Sequence, residues 1–279
     1  MKEVLMLVDI ISDLHLDSWF GYNTIPSRDM VVGFWRSLKP KGNYLIVAGD
    51  IGHNILQNVS VLKILKEVYY KEIIIVLGNH DYYLIGFNLL QTAHAKAKKS
   101  KKLYRQNDII VLDGDVVEFE GIKFGGAMGW YNSAYVQKNK HSLKMLQSYS
   151  GDIEAFLQEL WGNSLNDKKY MNIANFDELY QEEYAKLEAV HQQCDVMVSH
   201  YNPSTKMEFQ TKGFERDETT SFFCFDGEAL AIKTTAKVWI YGHTHERKMY
   251  IWHNKKFVTS ALGYKSEHYK GKIVTREIV

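Results

Sequence analysis

Five short runs of Val, Ile and Leu that lack polar alternation, separated early in the chain by segments of helical period, predict an α/β fold for this 279-residue sequence. Two later dipeptides of hairpin type, Asp113-Gly114 and Glu120-Gly121, predict that antiparallel members join the parallel ones. The apolar runs cover residues 4–12, 44–48, 73–77, 196–199 and 238–241. Strands covered on both faces read this way because neither face meets water.

The early helices follow from caps and spacing. Ser27 is a favoured N-cap residue, and Met30, Val31, Phe34, Trp35 and Leu38 fall on one face behind it. Residues 59–70 repeat that spacing, and a Lys-rich segment over 87–102 predicts a third helix. Helices between such strands imply crossover connections and neighbouring, largely parallel strands. Residues 109–126 then read as short strands around the two turn dipeptides. From 131 to 193 the sequence turns polar and helical, and its last part carries Phe176, Tyr180, Tyr184, Leu187 and His191 on one stripe. The expected organisation is one domain over 1–279 with 131–193 inserted as a helical cap. Strands return at 248–253, 256–260 and 272–278.

Hydrophobic residues at 46% and charged residues at 24% are ordinary globular usage, which excludes a disordered or fibrous chain. A formal net charge of +1 provides no global field for nucleic acid or a membrane surface. The two cysteines, Cys194 and Cys224, form no C-x-x-C and are too few to staple a chain of this size, so both are expected to be buried thiols in a reducing compartment. No stretch approaches the roughly 18 to 20 apolar residues of a membrane span. Asp9 interrupts the N-terminal run before signal-peptide length. A cytoplasmic protein without membrane contact is the expectation.

Each of the five apolar runs ends in residues able to bind metal: Asp13-Leu14-His15, Gly49-Asp50, Gly78-Asn79-His80-Asp81, Ser199-His200 and Gly242-His243-Thr244-His245. Ligands of open α/β sheets gather beyond the carboxyl ends of strands, so these loops should converge on one edge although they span over two hundred residues. The glycines before Asp50, Asn79 and His243 allow sharp turns and close approach. Carboxylate, amide oxygen and imidazole suit Mn²⁺, Fe and Zn²⁺. Asp50 has two oxygens and could bridge two cations. A pair about 3.5 to 4 Å apart clamps a phosphoryl group and generates hydroxide from water near neutral pH, which is hydrolytic chemistry.

The ordered series D-x-H, G-D, G-N-H-D, a lone His after a strand, and G-H-x-H resembles the calcineurin-like metallophosphoesterase superfamily, from Asp13 to His245. The resemblance implies a four-layer α/β/β/α sandwich. It implies one metal ion on Asp13, His15, Asp50 and His245 and another on Asp50, Asn79, His200 and His243, two divalent or mixed-valence ions with manganese ahead of iron or zinc. His80 would then be the general acid that protonates the leaving alkoxide, with Asp81 as its orienting carboxylate. The implied activity is hydrolysis of a phosphate mono- or diester by in-line attack of metal-bound hydroxide, on a small phosphorylated substrate.

Other residues fit this reading less directly. His53, three residues after Asp50, could stand behind a ligand or contact phosphate, but reads rather as an exposed loop histidine. Lys96, Lys98, Lys99, Lys101 and Lys102 read as a solvated helix face, although the same run motivates a nuclease alternative. Trp130 and Tyr131 either stack on substrate near the site mouth or seal the cap against the core. Tyr201-Asn202-Pro203 and Gly263-Tyr264 resemble stretches of some bacterial members. Relatives that act on phosphoproteins carry Asp-Arg soon after the bridging Asp and end the tetrad in Glu; Ile51, Gly52, His53 and Asn54 follow Asp50 here, and Asp81 ends the tetrad, which disfavours a protein phosphatase. The D-x-x-Y block of purple acid phosphatases is not formed at Asp50, where His53 stands in place of the tyrosine. A metal-stabilised scaffold is the alternative outside enzymes, for relatives that have lost ligands, and this sequence retains every block. The 131–193 insertion is expected to set substrate choice, so that its deletion would alter substrate ratios more than metal content.

Overall fold

The computed structural model describes residues 6–85, 92–147, 149–267 and 273–278. Its strands are β1 (Met6–Ile11), β2 (Tyr44–Ala48), β3 (Glu72–Val76), β4 (Ile110–Val111), β5 (Asp115–Phe119), β6 (Ile122–Gly126), β7 (Val196–Val198), β8 (Val238–Tyr241), β9 (Arg247–Trp252), β10 (Lys255–Ser260) and β11 (Val274–Ile278). They form two mixed sheets, β11-β1-β2-β3-β4 and β5-β6-β7-β8-β10-β9. In the first, β1 to β4 are parallel and β11 joins β1 antiparallel. In the second, β6, β7, β8 and β10 are parallel, with β5 and β9 antiparallel at the two edges.

The two sheets face each other, which explains why the early strands show no alternation. Ile46 and Ala48 of β2 and Ile74 and Val76 of β3 point inward, into one core with Phe124, Val196, Val198 and Ile240 of the second sheet. Their neighbours Leu45, Val47, Ile73 and Ile75 point outward, onto a helix layer that supplies Val31, Trp35, Val61, Leu62, Leu65 and Tyr104. Alternate side chains enter different cores, so both must be apolar. The crossover helices are Arg28–Ser37, Ile55–Val68 and Ala93–Gln106. Ser27 caps the first by accepting from Met30 N–H, and Asn54 caps the second. Part of the segment expected as the third helix, 87–91, lies outside the described residues. Helices on both outer faces complete the four-layer α/β/β/α sandwich.

Two local expectations change. Glu120 and Gly121 are the two-residue loop of the β5–β6 hairpin, both with positive φ, but Asp113-Gly114 makes no hairpin. It carries the chain from β4 in one sheet to β5 in the other, using the same left-handed glycine for a different end. The amphipathic helix Tyr180–Val190 lies on β5 and β6 as the crossover to β7, so it belongs to the outer layer and not to the cap. A buried stripe at helical spacing reads alike in either role. The helices Ala134–Asn139, Ile153–Ser164 and Asn166–Met171 remain over the strand ends. A second excursion between β7 and β8 has short 3₁₀ turns at Met207–Phe209 and Glu218–Phe222, the latter packed against the helices Ala134–Asn139 and Ile153–Ser164.

Candidate metal centre

All five loops meet at the carboxyl ends of β1, β2, β3, β7 and β8, and the chain there is held in an unusual conformation. Asp13, His15, Asp50, His243 and His245 have φ of 53°, 40°, 54°, 68° and 50°, a left-handed region that non-glycine residues seldom occupy. Such strain persists only where surrounding contacts enforce it, and it concentrates at functional sites. The contacts are visible: His15 N–H donates to Asp50 O, Asp13 N–H to Gly49 O, and His243 N–H to the Asp13 carboxylate at 2.9 Å. His80 N–H donates to Asp50 Oδ1 at 2.9 Å. A Cβ on Gly78 would lie 2.1 Å from Asp50 Oδ1, so glycine is required there for close approach.

The seven residues marked in the sequence come together. His15 Nε2 lies 3.8 Å from Asp50 Oδ2, His245 Nε2 lies 3.8 Å from Asp13 Oδ1, and His200 Nε2 lies 3.4 Å from Asp50 Oδ1. Asn79 Oδ1 faces His200 Nε2 at 3.1 Å. Asp13, His15 and His245 form one compact group of donor atoms, and Asp50, His200 and His243 another.

Hydrogen bonds on the far side of three imidazoles show what this arrangement is built to hold. His200 Nδ1 donates to Ala48 O at 2.8 Å, His243 Nε2 to Phe222 O at 3.2 Å, and His245 Nδ1 to the Glu267 carboxylate at 2.9 Å. Those acceptors fix which nitrogen points outward, so each inward nitrogen offers a lone pair once its ring is neutral. His200 Nε2 and His243 Nδ1 are then only 3.2 Å apart, and His15 Nε2 and His245 Nε2 only 3.0 Å. Facing lone pairs at such distances repel unless a cation or a proton intervenes, so the donor set fits a metal. Burial by itself would lower the proton affinity of His200, but the Asp50 and Asp13 carboxylates outweigh it and push its pKa up to about 9. Burial holds His15 and His243 well below the usual histidine range. Asp50 resists burial and stays well below the ordinary carboxylate value because His200 and His80 face it.

The calcineurin-like phosphoesterase family model matches residues 6–247. This chain belongs to that family. An uncharacterized protein of Acanthamoeba polyphaga mimivirus is 21% identical over 267 residues, covering 92% of this chain and 91% of that protein. Among solved structures, phosphopantetheinyl hydrolase from Mycobacterium tuberculosis superposes with a TM-score of 0.70 over 98% of this chain and 95% of its own, at 16% identity, which is a likeness of fold. Family membership and the His and Asp clusters together identify a metal-dependent phosphoesterase that binds divalent metal.

Around the calcineurin-like core, two expectations about His80 are corrected. Asp81 does not orient it: the Asp81 carboxylate turns back to accept from Gly78 N–H at 2.8 Å and Ile51 N–H at 3.4 Å, tying the β3 loop to the β2 loop. The partner of His80 is His53, which is no exposed loop residue; its side chain is 11% exposed and its Nε2 lies 2.8 Å from His80 Nδ1. Behind it, Asp17 Oδ2 accepts from His53 Nδ1 at 3.0 Å. With that tautomer His53 Nε2 accepts, His80 Nδ1–H donates, and His80 Nε2 faces the cavity, 3.1 Å from Tyr264 OH. Tyr264 also stacks on His15, with ring centroids 4.1 Å apart. Asp17 and Glu267 left no signal in the sequence beyond ordinary acidic residues, because their roles depend on neighbours distant along the chain.

The open side of the centre is a cavity of about 380 Å³ whose floor includes Asp50, Asn79, His80, His243 and His245. Asn166 comes from the insertion, and Gln210, Thr211, Phe214 and Phe223 come from the β7–β8 excursion. Trp130 and Tyr131 are fully buried and seal the insertion onto the core: Trp130 Nε1 donates to Phe176 O at 2.7 Å. Lys96 is also buried, contrary to the solvated face expected, and its Nζ donates to Tyr83 O at 2.6 Å. Cys194 and Cys224 are buried free thiols, as expected.

Proposed function

We propose that this phosphoesterase is a two-metal hydrolase of small phosphate mono- or diesters. The reading is carried by two groups of donor atoms, Asp13 with His15 and His245, and Asp50 with His200 and His243, which the group His15, Asp50 and His80 connects beside a cavity. Asp13, His15, Asp50 and His245 would hold one ion and Asp50, Asn79, His200 and His243 the other, with Asp50 shared. A nitrogen and oxygen donor set without thiolate suits Mn²⁺, Fe or Zn²⁺, of which the family resemblance puts Mn²⁺ first. When bound, two such ions neutralise the phosphoryl charge and lower the pKa of water enough to supply a nucleophile near neutral pH.

The chain's own residues do the rest. His80 Nε2 opens on the cavity, where, once the ring has taken up a second proton, it would deliver that proton to the departing alkoxide as phosphorus is attacked from the opposite side. Burial drops its pKa to about 4 in the free protein, and an anionic phosphoryl group arriving beside it acts in the opposite sense. Asp17 and His53 fix the ring and its tautomer. Among the described residues that line the cavity there is no lysine or arginine, so a substrate with an uncharged polar leaving group suits Gln210, Thr211 and Asn166 better than a polyanion. The lysines of the helix Ala93–Gln106 line a different cavity, and Lys101 is paired with Asp113, which argues against the nuclease alternative.

The test is hydrolysis of chromogenic mono- and diesters by the Mn²⁺-loaded protein against an Asp50→Asn control. Turnover of at least one class that is lost in the variant is expected. Equal background rates in both proteins for every ester would sink the reading.

A further inference from the structure

Asp167 lies in the insertion helix Asn166–Met171, is 1% exposed, and reaches across 88 residues of sequence to a proposed metal ligand. Its Oδ1 accepts from Asn79 Nδ2 at 2.8 Å and from Tyr83 OH at 2.5 Å. Its Oδ2 accepts from Tyr131 OH at 2.7 Å, and Tyr131 OH in turn accepts from Trp161 Nε1 at 2.8 Å. Among the described residues no cation is paired with this carboxylate; it is held by three neutral donors.

We propose that Asp167 is a positioning residue of the metal centre, which commits Asn79 to present its amide oxygen, and not its nitrogen, to the cation. An asparagine amide has two ends of nearly equal size, and only the oxygen can ligate. Both Asp167 oxygens already accept tyrosine hydroxyls, so Oδ1 faces Asn79 as an acceptor. Turning the amide over would set Asn79 Oδ1 against Asp167 Oδ1 and aim an N–H at the inward lone pair of His200, losing a favourable contact on one side and placing donors where the cation belongs. The helical insertion therefore supports the metal centre, and removing it would reduce metal binding, against the expectation that its deletion alters substrate ratios more than metal content. The proposal rests on Asn79 ligating one of two ions.

The experiment titrates the metal-free protein with Mn²⁺ alone, counting bound ions by electron paramagnetic resonance and following folding by circular dichroism. Asp167→Asn should weaken one ion by about 10- to 100-fold, the usual effect of losing a partner behind a ligand, and leave the other unchanged. The reciprocal pair Asn79→Asp with Asp167→Asn restores a donor facing an acceptor, so it should bind more tightly than either single variant, and it decides the matter if Asp167→Asn alone folds poorly. Unchanged affinity in Asp167→Asn, or a double variant no tighter than the singles, overturns the proposal. If Asn79→Ala leaves Mn²⁺ binding unaltered, the two-ion reading itself fails, a result separable from failure at Asp167 alone.

Discussion

Replacing His53 by alanine removes the one side chain that ties His80 Nδ1 to the protein, a 2.8 Å hydrogen bond backed by Asp17 at 3.0 Å. A hydrogen bond that engages a charged group contributes about 1.5–3 kcal/mol. At about 1.4 kcal/mol per decade of rate, its loss should lower kcat/KM by about 10- to 150-fold wherever protonation of the leaving group limits the reaction. That condition is selective. A p-nitrophenolate leaves without help from an acid, whereas an alkoxide requires a proton. The assay is kcat/KM for a series of phosphate esters running from p-nitrophenyl to alkyl, at fixed Mn²⁺, for wild type, His53→Ala and His80→Ala. His53→Ala should be nearly silent on the aryl ester and should approach the His80→Ala loss on the alkyl ester. An equal fall for both kinds of ester would mean that His53 supports the loop and not the acid, and would refute the assignment.

Two further outcomes follow from the geometry. Gly78→Ala would place a Cβ 2.1 Å from Asp50 Oδ1 and 2.5 Å from Asp50 N, so the β3 loop must shift; a stability loss of about 1–3 kcal/mol and reduced metal content are expected in thermal melts and elemental analysis, and a variant equal to wild type in both would contradict the close approach. Metal affinity should depend on pH through His200, whose folded value of about 9 stands above the usual 6.5. In the metal-free protein the stabilisation from that proton is complete below 6.5 and is lost as pH rises through 9, while a cation must displace the proton to bind. Mn²⁺ affinity should rise about tenfold per pH unit across this window if one proton is released, and a flat titration would be the contrary result.

The strands that carry the proposed ligands were legible because their apolar runs are long and each ends in an oxygen or nitrogen donor; β2 and β8 coincide with the runs at 44–48 and 238–241. That these residues would converge followed from the rule that strand ends gather at one sheet edge, and the structure brings them together. Side-chain partners were less legible. Asp81 follows His80 directly, yet a one-residue separation in a short helix points the two side chains apart, and the carboxylate finds backbone N–H groups instead. His53 looked like a loop residue because nothing local shows that Asp17, beyond the β1 end, would lie behind it. Lys96 sits in a row of lysines, and periodicity alone does not tell which member faces the core. Asp167 lies in a polar stretch of weak periodicity, and its three donors come from Asn79, Tyr83 and Tyr131, two of them more than eighty residues away in sequence.

The most direct test of two cations sharing Asp50 is a count of bound Mn²⁺ per chain together with its paramagnetic spectrum. Two ions with the spectrum of a spin-coupled pair are expected for wild type, with the coupling lost in Asp50→Asn. A single uncoupled ion in wild type, or a coupled pair that survives Asp50→Asn, would contradict the shared carboxylate.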